Sequence, residues 1–85
     1  MENIKNLKNK IIYRSKHRGT KEMDLLLGNF VVKYINTFSY NELNDLNILL
    51  NYEDEVIYDW YFKRSNKVKF PVNRVMKKFK KFKIY

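Results

Sequence analysis

The residues of this chain that are best suited to chemistry lie near its N-terminus, where Arg18, Gly19 and Glu22 form an Arg-Gly-x-x-Glu sequence. A guanidinium group presents a fork of N–H donors that fits a carboxylate, and a glutamate four residues later can orient it or meet a cation of a partner. Gly19 has no side chain, so a partner's backbone or a flat ligand can come close between the two charges. From the spacing alone, an exposed Arg18–Glu22 ion pair worth about 0.3–0.5 kcal/mol is the more ordinary interpretation. The functional interpretation is a docking point rather than a catalytic dyad.

Catalysis and metal binding have little support in the composition. His17 is the single histidine and there is no cysteine, so neither a thiolate zinc site nor a protein-only transition-metal site is expected. An imidazole can act as an acid or a base near neutral pH, but one that stands beside Lys16 and Arg18 is more often a surface contact. We therefore assign His17 to partner binding and expect no catalytic residue and no metal ligand.

The length and the charge limit the classes of protein to consider. The 85 residues are enough for one small domain, 1–85, and 45% hydrophobic and 16% aromatic residues can build its core. The formal net charge is +9, and no acidic residue occurs from Ser65 to Tyr85. Such a charge suits nucleic acid or an anionic membrane as well as an acidic protein surface. No signal peptide or membrane-spanning stretch is apparent, so we expect a soluble, cytoplasmic protein without membrane insertion.

Hydrophobic residues recur at helical spacing along the chain, whereas the alternation typical of strands and the turn sequences typical of hairpins are missing. The first two helices carry Ile4, Leu7 and Ile11, and then Met23, Leu26, Leu27, Phe30, Val31 and Tyr34. Gly19 between them suits the left-handed position that ends a helix. Gly28 indicates either close helix packing or a tolerated glycine. The sequence predicts an all-α fold, a compact bundle of about five short helices.

A third helix is predicted to begin at a capping box. Ser39 and Glu42 have the required spacing, because the serine hydroxyl can accept from the glutamate amide while the carboxylate reaches back to the serine amide. Phe38 and Leu43 are placed for a hydrophobic staple across this start. We expect the helix to end near position 51 or 52.

Two further helices are predicted in the second half of the chain. Glu53, Asp54 and Glu55 cluster where the N-terminus of a fourth helix favours negative charge. Trp60 on this helix is either a binding hot spot or, more ordinarily, a core residue. Pro71 suits the first turn of a basic C-terminal helix from about residue 71. The lysines of that helix are most simply a solvated face, with phosphate or membrane binding and steering of an acidic partner as alternatives.

The segment from Tyr13 to Gly28 closely resembles the succinate dehydrogenase flavinylation factors, the SdhE family, whose Arg-Gly-x-x-Glu motif it contains. The resemblance continues more weakly in the acidic stretch at residues 53–60. The family often has a Pro-Asp pair where this chain has Glu55-Val56, so the second motif is only partly kept. The resemblance covers a little over half of the chain and none of the part beyond Ser65.

The resemblance implies an assembly factor that binds the flavoprotein subunit of succinate dehydrogenase, or of fumarate reductase, and promotes covalent attachment of FAD to it. Such a factor would be a monomer and not an enzyme, and the FAD would belong to the client, with none stably bound to the factor. The client contacts would be His17, Arg18, Gly19, Glu22, Asp54 and Trp60. A small basic nucleic-acid-binding or regulatory protein is the alternative, and a structural subunit of a larger assembly is a third reading. Nucleic acid is not expected, because no helix groups Asn, Gln and Arg for reading base edges.

Overall fold

Five α-helices and one 3₁₀ turn make up most of residues 3–83, the part of the chain that the computed structural model describes, and no strand occurs within that part. The helices are α1 (Ile4–Lys16), α2 (Lys21–Tyr34), α3 (Tyr40–Leu49), α4 (Asp54–Phe62) and α5 (Arg74–Lys81), and the 3₁₀ turn is Ile35–Thr37. The predicted all-α fold with about five short helices is confirmed.

The core lies where the apolar faces of the helices meet around α2. Phe30 of α2 is fully buried, and its ring centroid lies 5.1 Å from that of Phe79 in α5 and 5.4 Å from that of Phe82. Leu7 and Ile11 of α1 are buried in the same cluster, together with leucines of α3. Burial of this apolar surface holds α5 against the bundle, although the outer face of α5 carries many lysines.

The corner between α1 and α2 differs from the sequence-based expectation. Thr20 is the N-cap of α2, and its hydroxyl accepts a hydrogen bond from the N–H of Met23 at 3.3 Å. Gly19 does not have a positive φ, so the prediction that it occupies a left-handed helix-ending position was wrong. The chain already leaves the helix at His17, which has a φ of −124°, and no left-handed residue is needed after it.

Gly28 is buried where α2 packs against α1. A methyl group at this position would lie 3.4 Å from Cγ of Lys16 and 3.8 Å from the carbonyl oxygen of Ser15. Both are ordinary van der Waals distances, so a methyl group would fit here and the packing does not require glycine. Of the two interpretations, the structure favours a tolerated glycine.

The capping box at the start of α3 is confirmed. The Ser39 N–H donates to the Glu42 carboxylate at 2.9 Å, and the Glu42 N–H donates to the Ser39 hydroxyl at 3.2 Å. Phe38 and Leu43 are both buried beside it. α3 ends at Leu49, earlier than predicted, because the amides of residues 51 and 52 bond to carbonyls three residues back, at 3.0 and 3.2 Å, and tighten the last turn.

Trp60 of α4 packs against the core, as its more ordinary interpretation predicted. Its ring is stacked with that of Phe70 at a centroid distance of 4.9 Å and with that of Phe79 at 6.0 Å. Phe70 also stacks on Tyr52 at 4.3 Å, so the aromatic rings tie the connection between α4 and α5 to the bundle. A partner-binding role for Trp60 stays a prediction.

The last helix begins at Arg74, so the prediction that Pro71 lies in its first turn was wrong. Asn73 is the N-cap, and its side-chain oxygen accepts a hydrogen bond from the N–H of Met76 at 2.8 Å. Asparagine is among the preferred N-cap residues, and this bond fixes the helix start after the proline. The Arg74 guanidinium joins α5 to the start of α3 through Glu42, with N–O distances of 2.8 and 2.9 Å.

Candidate functional site

The guanidinium of Arg18 is turned into the protein rather than towards solvent, with 10% of its side-chain surface exposed. Its Nε donates to Asp54 Oδ1 at 2.6 Å, and its two Nη groups donate to the carbonyls of Leu50 and Tyr52 at 2.8 and 2.7 Å. Those carbonyls follow the last turn of α3, where backbone acceptors lack helical partners and a cation is favoured. The expected ion pair with Glu22 is therefore not formed, because Arg18 pairs with Asp54 instead.

Asp54, the first residue of α4, holds the corner with both of its carboxylate oxygens. Oδ1 binds the Arg18 side chain, and Oδ2 accepts a hydrogen bond from the N–H of Gly19 at 2.7 Å. The N–H of Arg18 donates to Asp24 of α2 at 2.5 Å. We call Arg18, Gly19, Asp24 and Asp54 the corner latch, because together they fix the α1–α2 corner on the start of α4.

Gly19 lets Asp54 come close to the backbone of the corner. A Cβ atom at residue 19 would lie 3.2 Å from Asp54 Oδ2, which is tighter than ordinary van der Waals contact. The requirement for glycine is therefore one of space and not of backbone conformation. The residue itself is exposed, so the surface of the corner is bare at this point.

A surface depression of about 520 Å³ opens beside the latch, and we call it the corner depression. Its lining includes Gly19, Glu22, Asp54, Glu55 and Tyr58. Glu22 and Glu55 are exposed, and neither forms an ion pair with any residue between 3 and 83, whereas Asp54 is paired with Arg18. The depression thus presents free negative charge on a chain whose formal net charge is +9.

His17 lies on the surface next to the latch. Its ring is stacked on that of Tyr13 with a centroid distance of 3.9 Å and an interplanar angle of 17°. Nδ1 is 2.8 Å from the carbonyl oxygen of Tyr13, and because a carbonyl only accepts, Nδ1 is the donor. Tyr13 has 63% of its surface exposed, so the pair forms a flat face at the edge of the corner.

The structure brings together only part of the set of residues predicted from the sequence. Arg18, Gly19 and Asp54 are in direct contact, and Glu22 lies in the same depression. Trp60 lines a neighbouring cavity of about 160 Å³ with Phe70, and Glu55 lines both this cavity and the corner depression. A partner contact by any of these residues stays a prediction.

Several participants in the site were missed by sequence reasoning. Asp24 stands in the first turn of α2, where an acidic residue is common, so nothing in its position indicated the bond to the corner. The carbonyls of Leu50 and Tyr52 belong to the backbone and leave no signal in the sequence. Glu55 and Tyr58 join the depression only because α4 packs beside the corner.

Comparison with known proteins shows the family to which this chain belongs. Residues 9–83 match the family described as "Flavinator of succinate dehydrogenase". The chain belongs to this family. The match contains the whole corner latch of this flavinator-family chain, from Arg18 to Asp54.

Curated relatives of the flavinator family are similar over most of this chain. "Succinate dehydrogenase assembly factor 2, mitochondrial" of Dictyostelium discoideum is 40% identical over 62 residues, which are 73% of this chain and 44% of the relative. The protein of the same name from Arabidopsis thaliana is 39% identical over 59 residues, 69% of this chain and 31% of the relative. "FAD assembly factor SdhE" of Acetobacter pasteurianus is 35% identical over 63 residues, 74% of this chain and 58% of the relative. The chain thus matches less than two thirds of the length of each.

None of the helices within residues 3–83 is long and apolar enough to cross a membrane. The cytoplasmic location and the monomeric state of this flavinator-family chain stay predictions.

Proposed function

We propose that this chain is an assembly factor that binds the flavoprotein subunit of succinate dehydrogenase, or of fumarate reductase, and promotes covalent attachment of FAD to that subunit. Two findings support the proposal. The chain belongs to the flavinator family, and its relatives carry the names of succinate dehydrogenase and FAD assembly factors. The corner depression provides a surface on which a client can dock.

The observation that carries the proposal is the geometry of the corner latch. Asp54 binds the Arg18 side chain and the Gly19 N–H at once, and so holds a bare backbone segment beside two free carboxylates, Glu22 and Glu55. Three of the five guanidinium N–H groups of Arg18 are bonded inside the protein, and only 10% of the side chain is exposed, so its fork is not presented to a client carboxylate. Arg18 is therefore a positioning residue for the docking surface.

The docking surface suits a cationic part of the client. A client backbone can approach Gly19 because no side chain projects there, and a client lysine or arginine can meet Glu22 and Glu55 across the depression. The exposed Tyr13–His17 stack precedes Arg18 in the chain and offers an additional flat aromatic surface to a client. Loss of water at this contact strengthens the charge pairing.

The factor acts without a nucleophile of its own. In this proposal the flavin and the side chain to which it becomes attached both belong to the client, and the factor orients client segments around them. Orientation alone can lower a reaction barrier by about 7–11 kcal/mol in the most favourable intramolecular cases. Fixed charge placed near the reacting atoms can lower it further. This role makes the chain a binding protein rather than an enzyme.

Co-purification from cells tests the proposal. The tagged chain is expected to capture the flavoprotein subunit, identified by mass spectrometry, and Glu22→Gln combined with Glu55→Gln should weaken the capture. Glu53→Gln is the matched control, because Glu53 is exposed and does not line the depression. Capture that is equal for all variants would contradict the docking surface, and absence of the flavoprotein subunit from the wild-type sample would contradict the function.

A further inference from the structure

A second surface groove lies between α2, the end of α4 and α5, and we call it the α2–α4–α5 groove. It has a volume of about 570 Å³, and its lining includes Leu25, Tyr58, Tyr61 and Phe62. Leu25 and Phe62 leave 48% and 46% of their surfaces exposed, so two large apolar side chains face the opening. An occupant of the groove that covered these two side chains would remove their apolar surface from water.

The rim of the groove is positively charged. Arg64, Lys80 and Lys83 line it, and within residues 3–83 Glu22 is the one acidic residue in its lining. None of these three cations forms an ion pair with another residue of the described range, 3–83. Lys80 instead lies over the ring of Trp60, with its Nζ 5.8 Å from the centroid. An occupant with negative charge would therefore find three cations available for pairing.

Arg64 stands at this rim in a backbone conformation that favours glycine. It has a φ of 54° and is the one non-glycine residue with a positive φ among those described. The turn is held by the N–H groups of Lys63 and Ser65, which donate to the carbonyl of Asp59 at 3.0 and 3.1 Å. A glycine would make the same turn without strain, so an arginine at this position costs some stability. Such outliers are common at functional sites.

The aromatic rings of the groove suit a side chain better than a stacked nucleic acid base. The Phe62 ring contacts Tyr58 at 4.7 Å and Tyr61 at 4.8 Å between centroids. The Tyr61 hydroxyl donates its proton to the carbonyl of Phe82, so it cannot also donate to a ligand. A base requires an open aromatic face, whereas these rings and Leu25 leave an apolar floor between packed rings.

We propose that the α2–α4–α5 groove binds an acidic segment of the client flavoprotein, with one large apolar side chain of that segment between Leu25 and Phe62 and its carboxylates at Arg64, Lys80 and Lys83. This inference rests on the proposed function. The groove adjoins the corner depression, because Glu22 and Tyr58 line both. The client would then contact a single surface that pairs an acidic region at the corner with a basic region near α5.

Site-specific photocrosslinking tests the occupant. A benzoylphenylalanine in place of Phe62 keeps an aromatic side chain in the groove, and the same residue in place of Ile48 on α3 is the control at an equally exposed apolar site, since Ile48 is 47% exposed. With the purified flavoprotein subunit, position 62 is expected to crosslink to a segment that contains several Asp or Glu residues around an apolar side chain. Position 48 should give no such product.

The outcomes separate this inference from the proposed function. Binding of the subunit without a crosslink from position 62, or with a crosslink to a segment lacking acidic residues, would overturn the groove assignment and leave the proposed function in place. A crosslink from position 62 to nucleic acid would overturn it too. Failure of both variants and of the wild-type chain to bind the subunit would overturn the proposed function itself.

Arg64 provides a second test in which affinity and stability should change in opposite directions. Arg64→Gly relieves the strained φ, so the melting temperature should be unchanged or higher, while the Kd for the flavoprotein subunit at low salt should rise about tenfold. Lys69→Gly removes an exposed cation outside the groove and should change the Kd less than about twofold. An unchanged Kd for Arg64→Gly would overturn the role of the basic rim.

Discussion

Arg18 Nε lies 2.6 Å from Asp54 Oδ1, although 36 positions separate the two residues in the chain. The two side chains are 10% and 18% exposed, so the pair is largely shielded from water. The same carboxylate also binds the Gly19 N–H. One aspartate at the start of α4 therefore fixes both the side chain and the backbone of a corner that otherwise has no regular structure.

Replacing Asp54 with alanine should lower the free energy of unfolding by about 1.5–3 kcal/mol, because it leaves a shielded guanidinium without its carboxylate. Denaturant melts followed by circular dichroism measure the change. Asp59→Ala is the control on the same helix, since the Asp59–Lys63 pair is exposed, has an N–O distance of 3.5 Å and should contribute less than about 0.5 kcal/mol. Equal effects of the two substitutions would show that the latch is not a stabilising element.

The effect of Gly19→Ala on the free energy of unfolding should depend on the residue at position 54, and its sign should be reversed when Asp54 is replaced by alanine. In the native chain the new methyl group presses on Asp54 Oδ2 at 3.2 Å and should reduce stability. In an Asp54→Ala background that contact is gone, and the same substitution should raise the free energy of unfolding by about 0.4–1 kcal/mol through the unfolded state. Melts of the four variants of this cycle measure the coupling. Identical effects of Gly19→Ala in both backgrounds would contradict the close-approach role of the glycine.

Ser39→Ala should cost about 1 kcal/mol of stability, because it removes the hydroxyl that accepts the Glu42 N–H at 3.2 Å. Asn41→Ala, an exposed position in the first turn of the same helix, is the matched control and should be nearly neutral. The comparison uses denaturant midpoints of the two variants. A midpoint for Ser39→Ala equal to that of the control would mean that the capping box adds nothing in solution.

The hydrogen bond from Arg74, and after it that from the Ser39 backbone, hold the pKa of Glu42 below its ordinary value. Because the folded-state pKa is lowered, the stability it contributes is present above the unfolded-state pKa of about 4.3 and is lost as the pH falls through the folded-state pKa. The difference in unfolding free energy between wild type and Glu42→Gln should therefore be largest near neutral pH and should shrink in acid.

Chemical denaturation over a series of pH values measures this difference. In an Arg74→Met background, the difference in unfolding free energy caused by Glu42→Gln should vary less with pH, because the hydrogen bond that mainly lowers the Glu42 pKa is removed. A difference that stays constant from neutral pH into strong acid would contradict this assignment.

The sequence predicted those features that depend on residues close together in the chain. The helical fold follows from the spacing of apolar residues, and the start of α3 follows from Ser39 and Glu42, which are three positions apart. The start of α5 was misplaced at Pro71 because the proline signal was preferred to Asn73, two residues later. Residues close together in the chain determine where each of these helices begins. The start of α5 was predicted wrongly because two such local signals, Pro71 and Asn73, competed.

The partner of Arg18 could not be predicted in the same way. Glu22 is its neighbour at helical spacing, but Asp54 and the carbonyls of Leu50 and Tyr52 approach it only after α3 and α4 have packed on the corner. Backbone carbonyls have no sequence signature. Arg18 pairs with a carboxylate that is distant in the chain because the packed helices bury its side chain beside that carboxylate. The arginine was singled out from the sequence, whereas its partner came from the tertiary structure.

The amount of flavin covalently attached to the client is the measurement that tests the central claim most directly. The catalytic flavoprotein subunit is taken from cells that lack their own factor and are supplied with wild type, Gly19→Arg, Glu22→Gln or the control Glu53→Gln, and in-gel flavin fluorescence of the denatured subunit is measured. Circular dichroism of each purified variant shows whether it is folded. We expect wild type and Glu53→Gln to restore fluorescence, and folded Gly19→Arg and Glu22→Gln to restore much less. Wild-type fluorescence with folded Gly19→Arg and Glu22→Gln would contradict the corner as the functional site.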